Sequence, residues 1–545
     1  MEGRPVLLLL LATAALVSGK MDLKKPEDRL SNIVEWSDLD SDDSYIYKLS
    51  DDDKEEYEYT IPYDWTMDEF TGIDTENSRC GDEVEMLDVS KMKKPHQIRL
   101  SFTGNPTEMA ITWTTNGRTE HELVNYGPVK SDLNYTSTSI SHQYKWHWDA
   151  ELSQWYYTSG FIHEALMINL IPGMIHYYQI ESNGEKSAVI KFVAAQESGS
   201  RAPLSFMHVG DVGTFGTSVM VTNDMMKRME EQQFHGLIHC GDISYANGFN
   251  HSRPTNAEQK VWDTWGQMVE PVGSKMAYMA VPGNHELDIY DSTNENGTIY
   301  TKRFIMPGNE RYFSYGVGMV QFVAVSTDES IDANSTQGQW FKNVLKKANQ
   351  NRDSRPWLVV FQHRPIYNSN NKHKHWKGRQ FNTSSRYVNP EIIGWTDNYP
   401  TLLVEQNVDL VLMGHVHHYE RTWPMKNLTT YDTSYKNVRY PVHITCGHGG
   451  KSLYRFYDYY RNGTYFDSYY KSDPGWVAQR DNSHWGHCEL DFIDDTTVEH
   501  RMYKMNEADP TVKVLLTRSK ERWSSGTALA FSSALIFLSV GTLLW

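Results

Sequence analysis

The sequence predicts a multidomain chain, an all-β sandwich followed by a larger α/β domain. Three observations carry this reading. At 545 residues the chain exceeds what one ordinary hydrophobic core organises. Between about Pro95 and Ala195, short stretches alternate apolar and polar residues and are separated by turn residues. From about Pro203 to Met505, short apolar runs alternate with helical patterns, the layout of sheets covered by helices.

Taken in order, residues 1–19 read as a secretory signal. Arg4 starts it, Val6 to Leu11 form an apolar core too short to span a bilayer, and Val17, Ser18 and Gly19 precede a cut. Residues 20–90 are expected to be a flexible acidic spacer. Asp38, Asp40, Asp42, Asp43, Asp51, Asp52, Asp53, Glu55 and Glu56 crowd a stretch with little apolar surface to bury. In residues 91–197, Ile98, Leu100 and Phe102 alternate with polar neighbours, as do Met109, Ile111 and Trp113 beyond the turn at Asn105-Pro106. Leu166, Ile168 and Leu170 repeat the pattern before Pro172-Gly173, and Tyr177 and Tyr178 follow. Strands at this spacing predict a sandwich of fibronectin type III kind, with no chemistry of its own. In residues 198–510, Val320 to Val325 read as a strand, and Trp340, Phe341, Val344, Leu345 and Ala348 as one helix face. Met220, Met225, Met226 and Met229 are read as helical core. Residues 524–545 are apolar or small, about long enough to cross a bilayer. They fit a cleaved glycolipid-anchor signal about as well as a retained helix.

Composition narrows the function. A formal charge of −17 argues against nucleic acid as the main partner. The acceptors Asn134, Asn250, Asn296, Asn334, Asn382, Asn427 and Asn462, each in N-x-S/T, agree with export and glycosylation. Of the cysteines Cys80, Cys240, Cys446 and Cys488, the last two are a candidate bridge, and four are too few for a disulfide scaffold.

Five apolar runs in residues 198–510 end alike. Leu204 to Val209 leads into Gly210-Asp211-Val212-Gly213, Leu237 to Cys240 into Gly241-Asp242-Ile243-Ser244-Tyr245, and Met276 to Val281 into Pro282-Gly283-Asn284-His285-Glu286. Leu358 to Phe361 leads into Gln362-His363-Arg364-Pro365, and Val408 to Met413 into Gly414-His415-Val416-His417. Loops beyond strand C-termini are where α/β folds gather their sites. Carboxylate, phenol, amide and imidazole donors, with no C-x-x-C pair, suit Fe, Zn or Mn with open coordination positions rather than structural zinc. Two such cations sharing a carboxylate can hold a phosphoryl group and activate water. Other chemistries fail. Gly447 to Ser452 lacks the first glycine of a P-loop and reads as a close-packed turn; His163-Glu164 lacks a second histidine; no G-x-S-x-G elbow is present.

The series GDVG, GDISY, GNHE, VFQH and GHVH resembles the metallophosphoesterase pattern, and Tyr245 with the preceding sandwich resembles purple acid phosphatases. The resemblance spans roughly Pro95 to Asp509. It implies an all-β fibronectin-like sandwich followed by an α/β metallophosphoesterase domain, a β-sheet sandwich flanked by helices. It further implies that Asp211, Asp242, Tyr245 and His417 ligate Fe(III), with Asp242 bridging to a divalent ion (Fe, Zn or Mn) on Asn284, His363 and His415. On this resemblance, a metal-bound hydroxide attacks a phosphate monoester under acidic conditions, and His285 protonates the leaving group. Asn284, His373 and His375 are the substrate-contact candidates. The implied substrates are small phosphate esters or phosphoproteins, met in the secretory pathway, at the cell surface or in a lysosome-like compartment. Glu286 is expected to orient His285 or cap a helix, and His418 to face away from the ligands.

Overall fold

The structure is a computed structural model. It describes residues 94–519 except 118–121, 150–153, 183, 247–258, 288–297, 371–391, 393–397, 427, 454–458, 462–463 and 467–473. The leader, the acidic segment, Cys80, the C-terminal tail, His373, His375, Asn250, Asn296, Asn382, Asn427 and Asn462 lie outside the described residues. Among the described residues no helix is long and apolar enough to cross a membrane.

The N-terminal sandwich has one sheet of strands Glu185–Lys186, Ile175–Ser182, Leu123–Gly127 and Tyr135–Thr138, with Ile190–Val193 beside Ile175–Ser182. Its other sheet comprises His96–Ser101, Met109–Thr115, Phe161–Met167 and Ile140–His142. Two details differ from the sequence expectation. Leu166 and Ile168 are exposed, because antiparallel pairing sets Met167 opposite Met109 and Ala165 opposite Ile111, turning the odd-numbered residues inward. The polar residues Gln97, Arg99 and Ser101, expected outward, are buried. The strand carrying them joins the catalytic domain: Leu100 pairs in parallel with Ala277, and the helix Lys260–Gly273 covers its face. The buried polar groups find partners across that junction. Gln97 Nε2 donates to Asp263 Oδ1 (3.2 Å), and Arg99 Nη2 donates to the Arg303 carbonyl (2.6 Å). Burial without such bonds would cost several kcal/mol, on the order of 2–7 each.

One ten-stranded sheet therefore runs through both domains. Its catalytic part is ordered Val512–Thr517, Thr497–Lys504, Gly486–Phe492, Leu204–Val209, Gly236–Cys240, Ala277–Val281. A seven-stranded sheet faces it, ordered Phe313–Val317, Val320–Val325, Trp357–Gln362, Leu410–Met413, Val442–Cys446, Tyr419–Thr422, Val477–Asp481. Residues alternate between two cores. Phe322, Ala324, Val359, Phe361, Leu410 and Leu412 pack between the sheets, where the Phe206 and Phe322 rings lie 4.8 Å apart. Val323, Val325, Leu358, Val360, Val411 and Met413 face Phe341, Leu345, Tyr399 and Leu403 of the helices Thr336–Gln350 and Asn398–Glu405. Strands covered on both faces read as unbroken apolar runs, as these do. On the opposite side, the helix Gly216–Glu231 buries Met225, with Met220, Met226 and Met229 partly buried beside it. Cys446 and Cys488, the candidate bridge, stand as free buried thiols on opposing sheets, their sulfurs within 4.8 Å of each other.

Candidate metal centre

The parallel strands end in register, Val209 beside His239 and Cys240 beside Val281, so their following loops start at one level. Pairing continues past the strands. Asp211 N donates to the Gly241 carbonyl (3.1 Å), Val212 N to that of Asp242 (3.2 Å) and Gly213 N to that of Ile243 (2.9 Å). Gly210 N donates to the Cys446 carbonyl (2.8 Å), which locks loops of the two sheets together, and Gly414 N donates to that of His363 (2.9 Å), which joins neighbouring loops of the seven-stranded sheet.

Within these loops Asp211, Asp242, Tyr245 and His415 hold φ of +59°, +50°, +60° and +68°. Side-chain-bearing residues seldom occupy this left-handed region, which costs each on the order of 1–3 kcal/mol. Four of the seven expected donor residues share that cost, and each is thereby turned inward. Gly241, at φ +77°, adds a close approach: a Cβ there would lie 2.6 Å from His363 Nδ1.

The seven donor side chains form two overlapping sets. In one, the Tyr245 hydroxyl lies 3.3 Å from both Asp211 Oδ1 and His417 Nε2, and His417 Nε2 lies 3.6 Å from Asp211 Oδ1. In the other, His363 Nε2 lies 3.1 Å from each of Asp242 Oδ1, Asn284 Oδ1 and His415 Nδ1. Asp242 belongs to both, grouped once with Asp211 and His417 and once with His363 and His415. Donor atoms at 2.0–2.2 Å from one ion stand about 3 Å apart at right angles, so these separations fit two cations sharing one carboxylate.

Outer partners fix the rings. His363 Nδ1 bonds the Cys240 carbonyl (2.8 Å) and His417 Nδ1 bonds the Ser452 carbonyl (2.7 Å), leaving each Nε2 facing the cluster. Burial pushes the Asp211 carboxyl well above its ordinary range. Asp242 is equally buried, yet His363 and His285 hold it well below. His363 in turn overcomes burial through Asp242 and rises to about 9. Such strong mutual dependence of buried groups marks a place built around fixed charge.

His285 lies on the tyrosine side, its ring 4.2 Å from that of Tyr245 and its Nε2 3.9 Å from Asp242 Oδ2. Its side chain remains 21% exposed, so it reaches both the donors and solvent. Glu286 does not orient it. It takes the other expected role: its carboxylate accepts from Gly283 N (2.9 Å), capping the turn Asn284–Leu287, and also from Ile243 N (2.8 Å), which straps two loops together. His418, buried, stays out of both donor groups.

Sequence reading missed part of the site. The Gly447–Ser452 turn does pack closely, but it also orients ligands: Lys451 N donates to the Asp211 carbonyl (3.0 Å), beside the Ser452 contact to His417. Lys451 Nζ also lies 5.2 Å from the centre of the Tyr245 ring. Glycine richness signalled the turn, while its partner in space had no sequence signal.

Fold and donor set together define a metallophosphoesterase. Comparison agrees at three places: residues 95–194 match the purple acid phosphatase N-terminal domain, 204–419 the calcineurin-like phosphoesterase and 440–512 the iron/zinc purple acid phosphatase-like C-terminal domain. Probable purple acid phosphatase 20 of Arabidopsis thaliana is 30% identical over 363 residues, covering 65% of this chain and 74% of that protein. Purple acid phosphatase 18 of the same plant is 28% identical, covering 79% and 84%, and acid phosphatase type 7 of Mus musculus is 28% identical, covering 65% and 78%. A purple acid phosphatase structure from yellow lupin (Lupinus luteus) seeds shares the fold, with TM-score 0.65, 21% identity and coverage of 79% and 76%. The chain belongs to the purple acid phosphatase family, a family of metal-dependent phosphoester hydrolases. One relative, of 29% identity, is named a probable inactive purple acid phosphatase.

Proposed function

We propose that this protein is an acid phosphatase that hydrolyses phosphate monoesters at an Fe(III)–M(II) centre, M being Fe, Zn or Mn. The observation that carries the reading is the double donor set hinged on Asp242. In it, Asp211, Asp242, Tyr245 and His417 would hold the ferric ion, and Asp242, Asn284, His363 and His415 the divalent one. The phenol favours the ferric assignment, because a hard trivalent ion stabilises a phenolate that a neutral environment would leave protonated. Once bound, the two cations draw charge from the phosphoryl group and make water acidic enough to supply hydroxide at low pH. The chain's own residues do the rest. Asp242 fixes the separation of the two sets, Asn284 offers a neutral oxygen, and the buried outer partners keep each imidazole in one orientation. His285 protonates the departing oxygen, from a position that meets both the donors and solvent.

The substrates proposed are small phosphate esters or phosphoproteins, and the setting is the secretory route. Exposure of Asn134 and Asn334 supports glycosylation there, since an acceptor must be reachable. Metal analysis and a visible spectrum of the purified protein test the centre. Iron in the protein and a phenolate-to-iron band that Tyr245→Phe removes would support it; an iron-free folded protein would end the ferric assignment. Hydrolysis of p-nitrophenyl phosphate should exceed that of its bis-ester at acid pH, and the reverse would mark a phosphodiesterase.

A further inference from the structure

Arg364 directly follows His363, and no role was read for it from sequence. Its backbone N donates to Thr327 Oγ1 (3.2 Å), while Nε and Nη2 both donate to Asp328 Oδ1 (3.1 and 2.9 Å). Thr327 Oγ1 donates in turn to Asp328 Oδ2 (3.2 Å), and Arg364 O accepts from Gln362 Nε2 (2.6 Å). The side chains of Arg364 and Asp328 are only 13% and 9% exposed. The guanidinium is therefore held at its backbone and along one edge of its fork.

The other edge faces the metal centre. Arg364 Nη1 lies 3.4 Å from His415 Nε2, and His415 turns its Nδ1 toward His363 within the donor set. With Nδ1 committed to a cation, a neutral His415 carries its proton on Nε2. Two N–H groups then border one space, and an anionic oxygen seated beside the pair, at ordinary hydrogen-bond distance from each nitrogen, accepts from both. A guanidinium pairs with phosphoryl oxygens more strongly than a neutral donor and with fixed geometry. His285 stands on the opposite, tyrosine side.

We propose that Arg364, aimed by Asp328, is a substrate-binding residue that takes a phosphoryl oxygen on the divalent-ion flank of the centre. This rests on the phosphoesterase reading. The ligand class is a phosphate monoester dianion or the inorganic phosphate it releases. Asp328 acts through Arg364 and is a positioning residue.

The test measures inorganic phosphate binding to the metal-loaded full chain, by calorimetry and by competitive inhibition, alongside metal content. Arg364→Ala should weaken phosphate about 10- to 100-fold, the worth of an ionised hydrogen bond, with metal content unchanged. Arg364→Lys should recover part of the loss, supplying charge without the fork, and Asp328→Asn should raise KM and the phosphate inhibition constant with a smaller change in kcat. Equal phosphate affinity in wild type and Arg364→Ala would overturn the proposal. Should that variant lose its metals, unchanged affinity in both Arg364→Lys and Asp328→Asn would overturn it. A wild-type protein that hydrolyses no phosphate ester, but whose phosphate affinity falls in Arg364→Ala, would keep the subsite and discard the phosphatase.

Discussion

His285 sits against the Tyr245 ring, partly exposed, one residue beyond a metal donor. A structural histidine in that place would affect all substrates alike. A proton donor would matter most where the leaving group is a basic alkoxide and least where it departs as a stabilised phenolate. His285→Ala is therefore expected to lower kcat on an alkyl phosphate by about 10²- to 10⁴-fold and to lower it much less on p-nitrophenyl phosphate. Equal losses on both would remove the donor role. The convergence was legible at this scale because metal chemistry restricts the residue types: Asp211, Asp242, Tyr245, Asn284, His363, His415 and His417 all meet in space. The strap that Glu286 makes beyond its capping bond, and the role of Arg364, were not legible. Each depends on a neighbour distant in sequence, Ile243 for one and Asp328 and His415 for the other.

At the scale of elements, the ligand loops store strain that the surrounding pairing maintains. Asp211, Asp242, Tyr245 and His415 adopt left-handed backbone, and ladder bonds from Asp211, Val212 and Gly213 hold those turns in place. Gly241 is where this arrangement is tightest. Gly241→Ala adds a methyl 2.6 Å from His363 Nδ1 at a φ of +77°, so both sterics and backbone oppose it. The variant should lose on the order of 1–3 kcal/mol of stability in urea titrations and bind the divalent ion more weakly, since His363 must move. Wild-type stability and metal content together would show the turn to be slack. Apolar runs placed the five strands well, because a strand buried on both faces has a strong compositional signature. The sandwich was harder to phase. Leu166 and Ile168 alternate as convincingly as Ala165 and Met167, and only pairing with Met109 and Ile111 chooses between them. The continuous sheet across both domains, made by Leu100 beside Ala277, has no local signal at all.

For the molecule as a whole, an enzyme proposed for acid conditions carries an interior that resists acid poorly without its ions. Burial lowers His208, His239, His443 and His448 each to about 3. Such histidines stay neutral when folded and gain a proton on unfolding near their ordinary 6.5. Their stabilising contribution is complete above pH 6.5 and shrinks as pH falls toward 3, by about 1.4 kcal/mol per unit for each. Glu270 and Glu286 act in the opposite sense. Burial raises both to about 7, so they favour the fold below pH 4.5 and lose that contribution as pH rises through 7. Between pH 7 and 5 these four histidines, joined by His163 and His235 at about 4 and by the buried His500, outnumber the raised carboxyls Glu270, Glu286 and Asp211, and the metal-free protein should become less stable as it is acidified. Bound cations restrain the donor loops and should leave the loaded protein more stable than the metal-free form by the linkage of binding to folding. Urea midpoints of chelator-stripped protein at pH 7 and pH 5 measure the slope directly. His443 lies away from the donors, beside the Tyr367 ring, and offers a clean probe. His443→Phe should reduce the stability difference between pH 7 and pH 5 by about 2 kcal/mol, because it removes one proton taken up on unfolding. A slope unchanged by this replacement would mean that His443 is already protonated, or solvated, inside the fold.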